Sequence, residues 1–321
     1  MMKRLSIITA LLLGGLLAAG LASCSPHEFP DDYYGRRFRV RLVFDEDLPQ
    51  LRVIRPSTKA GYAAGRTRYT AQLFRYQDES AFGLNPEYTF SFTRKDLWDL
   101  DTTIVLPPVG DKYKLALWVD FADDDDSVSF RPTSFERIVL SKEYRMGERA
   151  RDAFFGTLDI DPDALEDEGV LTLLMQRPVA QIRFILPEAL TFLTGRKLDL
   201  GGLHTTLRYT APVPDTFNLL RGRSSGARSG ISVQVTPEID PSSGALVFCS
   251  DFVLAEEEQT SVSVYFGVRD DDGALLFSYT GDVPVLRAHR TDIVYGNTSD
   301  MPGGIGIDPG FDWEIEIPIE M

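Results

Sequence analysis

Residues 170–187 contain two runs of apolar residues that are separated by Arg177 and Pro178. In the second run, residues 179–186, the side chains alternate between two faces, as they do in a half-buried β-strand. One face carries Ala180, Ile182, Phe184 and Leu186, and the other carries Val179, Gln181, Arg183 and Ile185. Because Pro178 has no amide hydrogen to donate to a neighbouring strand, a sheet is interrupted or switched there. With about half of the chain on each side, this stretch predicts a crossing from one β-rich domain into another.

Short strand-like runs fill both halves of the chain. The length of 321 residues suits about two domains of ~150 residues each. Predicted strands cover residues 37–44, 68–76, 88–92, 102–106, 113–121, 135–140, 203–209, 217–220, 231–235, 245–249, 261–268, 274–279, 283–286, 291–295 and 311–319. The one predicted helix is residues 143–155, and the glycine-rich residues 301–310 are predicted to be a loop. The pattern therefore predicts an all-β protein of antiparallel β-sandwich domains with few short helices.

The charge of the chain excludes one class of partner. The net charge is −15, and the basic residues form no stripe. Nucleic-acid binding needs clustered Lys and Arg to neutralise phosphates, so we expect no nucleic-acid partner. The two cysteines are Cys24 and Cys249, and Cys249 lies in an apolar run typical of a buried strand.

Residues 1–23 have the features of a signal peptide that is removed from the mature protein. Lys3 and Arg4 precede an uncharged apolar run at residues 5–22, whose length lies at the lower limit for a membrane-spanning helix. A transmembrane anchor is therefore the alternative interpretation. The run ends in a sequence that resembles the lipobox of bacterial lipoproteins, formed by Leu21, Ala22, Ser23 and the cysteine that is lipidated, Cys24.

Lipidation would make Cys24 the first residue of the mature chain and the membrane its first partner. Several acyl chains, palmitate among them, give stable anchoring where a single chain is marginal. Residues 24–35 are polar and contain proline, which is typical of a tether. Ser25 follows the cysteine, and this resembles sorting to the outer membrane. We therefore expect a lipid-anchored outer-membrane protein that is exposed at the cell surface.

No motif in the sequence indicates catalysis, a cofactor or a metal. The histidines are His27, His204 and His289, and they show no metal-ligand spacing. Residues 222–226 match G-x-S-x-G, but a nucleophile elbow needs a helix after the serine, and a predicted strand follows instead. We expect a protein that is not an enzyme and has no catalytic residues, metal or cofactor.

Three segments together resemble the fimbrillin-like lipoproteins of Bacteroidetes, a family that includes fimbrial subunits and their membrane anchors. They are residues 151–156 (R-D-A-F-F-G), residues 170–184, and residues 289–296 (H-R-T-D-I-V-Y-G). The resemblance implies two tandem transthyretin-like β-sandwich domains, which we place at residues 36–176 and 177–321. It also implies a role as a fimbrial anchor or accessory subunit in adhesion or fimbria assembly. The alternative is a stand-alone surface lipoprotein that binds a glycan or a host protein.

Assembly in this family would proceed by β-strand addition, in which an extended segment pairs with an open sheet edge. Residues 311–319 alternate suitably and are predicted as a possible strand-exchange segment with other fimbrial subunits. Its apolar face consists of Phe311, Trp313, Ile315 and Ile317. The alternative is that this segment is the last strand of its own sandwich.

Overall fold

The computed structural model describes residues 36–44, 66–77, 82–83, 86, 88–94, 102–106, 111–122, 129–141, 151–165, 170–241, 243–295, 304–308 and 317–318. These residues are organised mainly into strands. Their one α-helix is α1 (Ala189–Arg196), which the sequence pattern did not predict. The predicted all-β class is confirmed, whereas the tandem transthyretin-like arrangement stays a prediction.

The N-terminal half contains two sheets that enclose a hydrophobic core. Its strands are β1 (Arg36–Phe44), β2 (Arg66–Arg75), β3 (Tyr88–Arg94), β4 (Thr102–Leu106), β5 (Tyr113–Ala122), β6 (Phe130–Arg131), β7 (Ile138–Leu140), β8 (Ala153–Ile160) and β9 (Val170–Met175). One sheet has the order β4-β1-β9 and the other β3-β2-β5-β8. Alternate residues of both sheets point inward, so that Phe38 of β1 and Leu173 of β9 join Tyr69 and Leu117 in one buried cluster.

The C-terminal half has a similar two-sheet construction. Its strands are β10 (Val179–Leu186), β11 (His204–Tyr209), β12 (Thr216–Asn218), β13 (Arg223–Ser225), β14 (Ser232–Val235), β15 (Glu238–Ile239), β16 (Leu246–Leu254), β17 (Thr260–Arg269), β18 (Leu275–Val285), β19 (Arg290–Val294), β20 (Gly304–Asp308) and β21 (Ile317–Pro318). The sheets have the orders β15-β16-β10-β19-β20-β21 and β14-β11-β17-β18. Their shared core includes Phe184, Phe248 and Phe266, and the buried Cys249 belongs to it as expected.

Strand β10 lies inside the six-stranded sheet, antiparallel to β16 and parallel to β19. The predicted alternation of this strand is confirmed, and the face that carries Ala180, Ile182, Phe184 and Leu186 is the buried one. Val179 is buried as well, although it lies on the opposite face. It packs in a different cluster, at the start of the strand, where the two halves of the chain meet.

A third sheet, with the order β13-β12-β7-β6, combines strands from both halves. Strand β12 pairs with β7 through Thr216–Val139 and Phe217–Ile138. The hydrophobic cluster around this sheet contains Trp118 and Phe155 from the N-terminal half and Phe217 from the C-terminal half. The two halves therefore share backbone hydrogen bonds and a common apolar core.

Two local predictions were wrong. Residues 153–155, placed in the predicted helix, begin strand β8, which pairs with β5 over its whole length. Residues 304–308, placed in the predicted loop, form β20 and pair with β19. In both places, pairing with a distant strand outweighs the local preference of the sequence.

Candidate functional site

The last strands of the chain extend one edge of the six-stranded sheet. Strand β20 pairs antiparallel with β19 over five residue pairs, from Arg290–Asp308 to Val294–Gly304. Among the described residues, strand β21 pairs with β20 through two residue pairs, Gly304–Pro318 and Ile305–Ile317. Strand β15, at the opposite edge of this sheet, also pairs with its neighbour β16 through two residue pairs of the described residues. We refer to β20 and β21 together as the C-terminal edge.

The structure describes one of the four residues predicted for strand exchange. Ile317 lies in β21, opposite Ile305 of the same chain. The other three, Phe311, Trp313 and Ile315, lie outside the described residues. Exchange of this segment with another subunit stays a prediction, as does its alternative.

The predicted lipidation site also lies outside the described residues, which begin at Arg36 with strand β1. This applies to Cys24, to the tether at residues 24–35, and to the lipobox residues Leu21, Ala22 and Ser23. Lipid anchoring therefore stays a prediction. Within the described part of the chain, no helix has the length and apolar character needed to span a bilayer.

Two buried arginine–aspartate pairs lie where the two halves meet. Arg177 donates from Nε to Oδ1 of Asp152 and from Nη2 to Oδ2, each at 2.8 Å. Arg151 donates from Nη1 to Oδ1 of Asp251 at 2.5 Å. The second oxygen of Asp251 accepts a hydrogen bond from the hydroxyl of Tyr209 at 2.6 Å. Because all of these groups are buried, removing either partner of a pair would leave a charge without compensation.

A third buried arginine, Arg287, connects three separate segments of the C-terminal half. Its Nε donates to the carbonyl of Ala255 at 3.2 Å, its Nη1 donates to Oε1 of Glu257 at 3.1 Å, and its Nη2 donates to the carbonyl of Gly222. Burial lowers the pKa of Arg287 below its ordinary value, against the opposing effect of Glu257 and of Glu256. The guanidinium remains charged at neutral pH.

The same guanidinium packs on the aromatic cluster that the two halves share. Its Cζ atom lies 5.6 Å from the ring centre of Phe155 and 5.5 Å from that of Phe217. Such cation–π contacts are stronger when the cation is shielded from water, as it is here. We call Arg151, Asp152, Arg177, Asp251 and Arg287 the junction network.

The sequence analysis did not identify the junction network. Asp251 could have indicated a buried ion pair, because it is a single acidic residue within the apolar run of β16. A charged residue in such a run requires a buried partner. The sequence could not indicate the partner, because Arg151 is 100 residues away in the chain.

The described residues do not bring catalytic groups together. His204 is exposed, with Nε2 3.3 Å from Oδ1 of Asp271, and Nδ1 of His289 donates to the carbonyl of Arg287 at 2.6 Å. In the part of the chain that the structure describes, no cluster of three or more histidine, cysteine or acidic side chains could hold a metal ion.

The G-x-S-x-G match has a structural explanation. Ser224 lies in strand β13, where its amide donates to Oε1 of Glu256 at 2.7 Å and its hydroxyl donates to the carbonyl of Ala255 at 3.1 Å. The next element is strand β14, so the strand–turn–helix geometry of a nucleophile elbow is not formed.

The described residues form an all-β protein with buried ion pairs. Strands β20 and β21 form one edge of its six-stranded sheet. The chain belongs to the family described as "Family of unknown function (DUF6562)", whose sequence model matches residues 36–320. No curated protein matches the chain.

Several solved structures from Bacteroidetes are similar. A proposed adhesin from Bacteroides thetaiotaomicron is 14% identical with a TM-score of 0.47, and the match covers 87% of this chain and 98% of that one. A proposed cell adhesion protein from Bacteroides uniformis is 11% identical with a TM-score of 0.47, and the match covers 87% of this chain and 96% of that one. The fimbrial anchor protein Mfa2 from Porphyromonas gingivalis is 10% identical with a TM-score of 0.41, and the match covers 88% of this chain and 99% of that one. These are proteins of the kind that the sequence motifs resemble.

Proposed function

We propose that this protein is a non-catalytic lipoprotein of the outer-membrane surface that serves as a fimbrial anchor or accessory subunit. The observation that supports this role is the C-terminal edge. Among the described residues, strand β21 is held through two residue pairs, so little backbone pairing is lost when this segment leaves its own sheet. The released C-terminal segment would then pair with an open sheet edge of a fimbrial subunit by β-strand addition.

The other end of the chain supplies the attachment in this proposal. Lipidated Cys24 fixes the protein to the outer membrane, and the tether follows it. Residues 24–35 span at most about 40 Å, at ~3.3–3.6 Å per residue. The folded part that starts at Arg36 therefore stays close to the membrane surface while its C-terminal edge remains available to a partner.

The junction network suits a protein that must transmit a pulling force. We propose that residues 36–176 and 177–321 form the two structural units of the chain. Buried ion pairs, the shared sheet and the shared aromatic cluster then connect them. A junction with these three kinds of contact resists the domain motion that a small polar interface would allow.

Outer membranes from the native host provide the test. We would compare the wild-type chain with a chain ending at residue 308, which retains β20 and lacks β21, and with Cys24→Ala. The expected result is that the wild type co-purifies with a high-molecular-weight polymer. The truncated chain is lipidated and folded but loses the polymer, whereas Cys24→Ala loses membrane association.

Two results would contradict parts of this proposal. A wild-type chain that runs only as a lipidated monomer, with no polymer in the same membranes, contradicts the assembly role. It would favour the second candidate, a stand-alone surface lipoprotein. A polymer that the truncated chain retains would contradict the use of the C-terminal edge and leave the anchoring function in place.

A further inference from the structure

The outer face of the sheet β14-β11-β17-β18 is polar, with one aromatic side chain near its centre. The inward residues of β17 are Val262, Val264, Phe266 and Val268, and all four are buried. The cross-strand register places the following described residues together on the outer face: Ser232, Gln234, Thr206, Arg208, Ser263, Tyr265, Gly267, Ser278, Thr280 and Asp282. The tyrosine is the only aromatic residue among these ten.

Tyr265 lies flat along its strand. A Cβ atom placed on Gly267 would be 2.7 Å from the hydroxyl oxygen of Tyr265 and 3.2 Å from its Cζ. The hydroxyl end of the phenol ring therefore lies over the glycine. Glycine inside a central strand weakens it and often marks a close approach of another group. Here Gly267 provides the space that lets the ring lie flat.

Arg208 and Thr280 flank this ring on the two neighbouring strands. Arg208 is directly opposite Tyr265 in β11, and its guanidinium lies over the ring, with Cζ 5.2 Å from the ring centre. Thr280 is directly opposite on β18. Arg208 is exposed and has no carboxylate partner among the described residues, whereas Arg183 is held by Asp292 and Arg177 by Asp152.

We propose that this face binds an oligosaccharide through a pyranose that carries a carboxylate, as uronic and sialic acids do. The C–H groups of a pyranose ring form an apolar face, which packs on the electron-rich tyrosine ring when the guanidinium of Arg208 turns from the ring to the ligand. The planar guanidinium of Arg208 matches a carboxylate in a two-point geometry. The hydroxyls of Thr206 and Thr280 and the amide of Gln234 donate to and accept from sugar hydroxyls. Charge complementarity at Arg208 thus selects an acidic sugar.

The same sheet contains a second tyrosine–glycine pair, in which the tyrosine has a structural role. A Cβ atom on Gly281 would lie 2.6 Å from the hydroxyl oxygen of Tyr279. That ring faces the core, packing 6.0 Å from the ring of Phe184, and its hydroxyl lies 3.3 Å from the carbonyl of Asp282. The hydroxyl of Tyr265 has no such hydrogen bond among the described residues. Tyr279 therefore serves as the matched control.

Binding to defined saccharides tests the proposal on the full mature chain in detergent micelles, without other subunits. The probes are tetragalacturonic acid, its methyl ester, sialyllactose and lactose. The methyl ester removes only the charge, and the two acids distinguish the uronic from the sialic source. Isothermal titration is expected to show one acid binding about tenfold more tightly than its neutral counterpart.

Variants then assign the residues. Tyr265→Ala and Arg208→Ala are each expected to weaken binding about tenfold or more. Two control variants should leave binding within about threefold. Tyr265→Phe keeps the ring, and Leu190→Ser changes an exposed residue of α1. Tyr279→Phe should leave it unchanged as well, because that ring faces the core.

Three outcomes would overturn the proposal. The first is equal binding, or no binding, of acidic and neutral probes. The second is full affinity in Tyr265→Ala. The third is a Tyr265→Ala variant that only loses thermal stability, which would give the ring the single role of covering Gly267. Arg208→Ala keeps the test valid if the tyrosine variant fails to fold. Because no fimbrial subunit is present, the result is independent of the proposed assembly role.

Discussion

Arg177 holds Asp152 through two parallel hydrogen bonds of 2.8 Å, with both side chains almost completely buried. The guanidinium also lies over the ring of Phe154, with Cζ 4.9 Å from the ring centre. Pro178 follows at once, where the chain leaves β9 for β10. The crossing between the halves is therefore fixed by a shielded ion pair and an aromatic contact.

Asp152→Asn is expected to destabilise the protein by about 3–5 kcal/mol, because it leaves the buried Arg177 without a compensating charge. Denaturant unfolding at neutral pH measures this. Arg75→Gln is the control, because Arg75 and Asp111 form an exposed pair whose removal should cost at most about 1 kcal/mol. Equal losses in the two variants would contradict the structural role of the buried pair.

Asp120 should show an unusual pH dependence. It is fully buried between Arg68, which donates to it at 2.8 and 2.5 Å, and Trp118, which donates at 3.0 Å. Burial raises its pKa above the ordinary 3.8, against the opposing effect of these donors. The folded state therefore holds this proton more tightly than the unfolded state does. That contribution to stability is complete below 3.8 and is lost as the pH rises through the folded-state pKa.

We therefore expect the wild type to gain stability relative to Asp120→Asn as the pH falls from about 7 to about 4. An ordinary ion-paired aspartate, whose pKa is lowered, would show the reverse trend. Unfolding free energies of both proteins, measured across this range, give the difference directly. A wild-type advantage that grows with rising pH would mean that Arg68, and not burial, controls the carboxyl group.

The strand pattern of the sequence predicts much of the fold because period-two alternation reports directly which face is buried. The hairpin of β17 and β18 is an example: Asp272-Gly273 between two alternating runs indicates it, and the two strands pair along their length. The face of β10 that carries Ile182 and Phe184 follows from the same rule.

The failures arise where contacts distant in sequence decide the structure. Phe154 and Phe155 are adjacent, and both are buried because the two faces of β8 pack against different clusters. No amphipathic pattern distinguishes such a strand from a buried helix. The junction network is missed for the same reason, since Arg151 and Asp251 meet only in the folded chain. Tyr265 is equally inconspicuous, because its flat position depends on the space above Gly267.

Gly156→Ala and Gly195→Ala should have opposite effects on stability. A Cβ atom on Gly156 would lie 2.6 Å from the backbone oxygen of Leu174, so β8 and β9 must separate, at a cost of about 1–3 kcal/mol. Gly195 lies in helix α1 with no atom within 4 Å of such a Cβ, so alanine should stabilise by about 0.5–1 kcal/mol. Thermal unfolding of both variants tests this, and a neutral Gly156→Ala would contradict the close contact between the two strands.

Phe217→Ala should weaken both halves of the protein, although Phe217 belongs to the C-terminal half. Its ring centre lies 4.8 Å from that of Phe155 and 6.0 Å from that of Trp118, within the shared cluster. Removing a buried phenylalanine typically costs about 3–5 kcal/mol. Hydrogen exchange is therefore expected to show reduced protection in both β5 (Tyr113–Ala122) and β16 (Leu246–Leu254).

Phe192→Ala is the matched control for this experiment. Phe192 is equally buried, but its ring contacts are Phe248 and Phe277, all within the C-terminal core. Its loss should reduce protection in β16 and leave β5 unchanged. If Phe217→Ala also spares β5, the shared cluster does not couple the halves, and the rigid junction that the proposed anchoring role requires would rest on the ion pairs and the shared sheet.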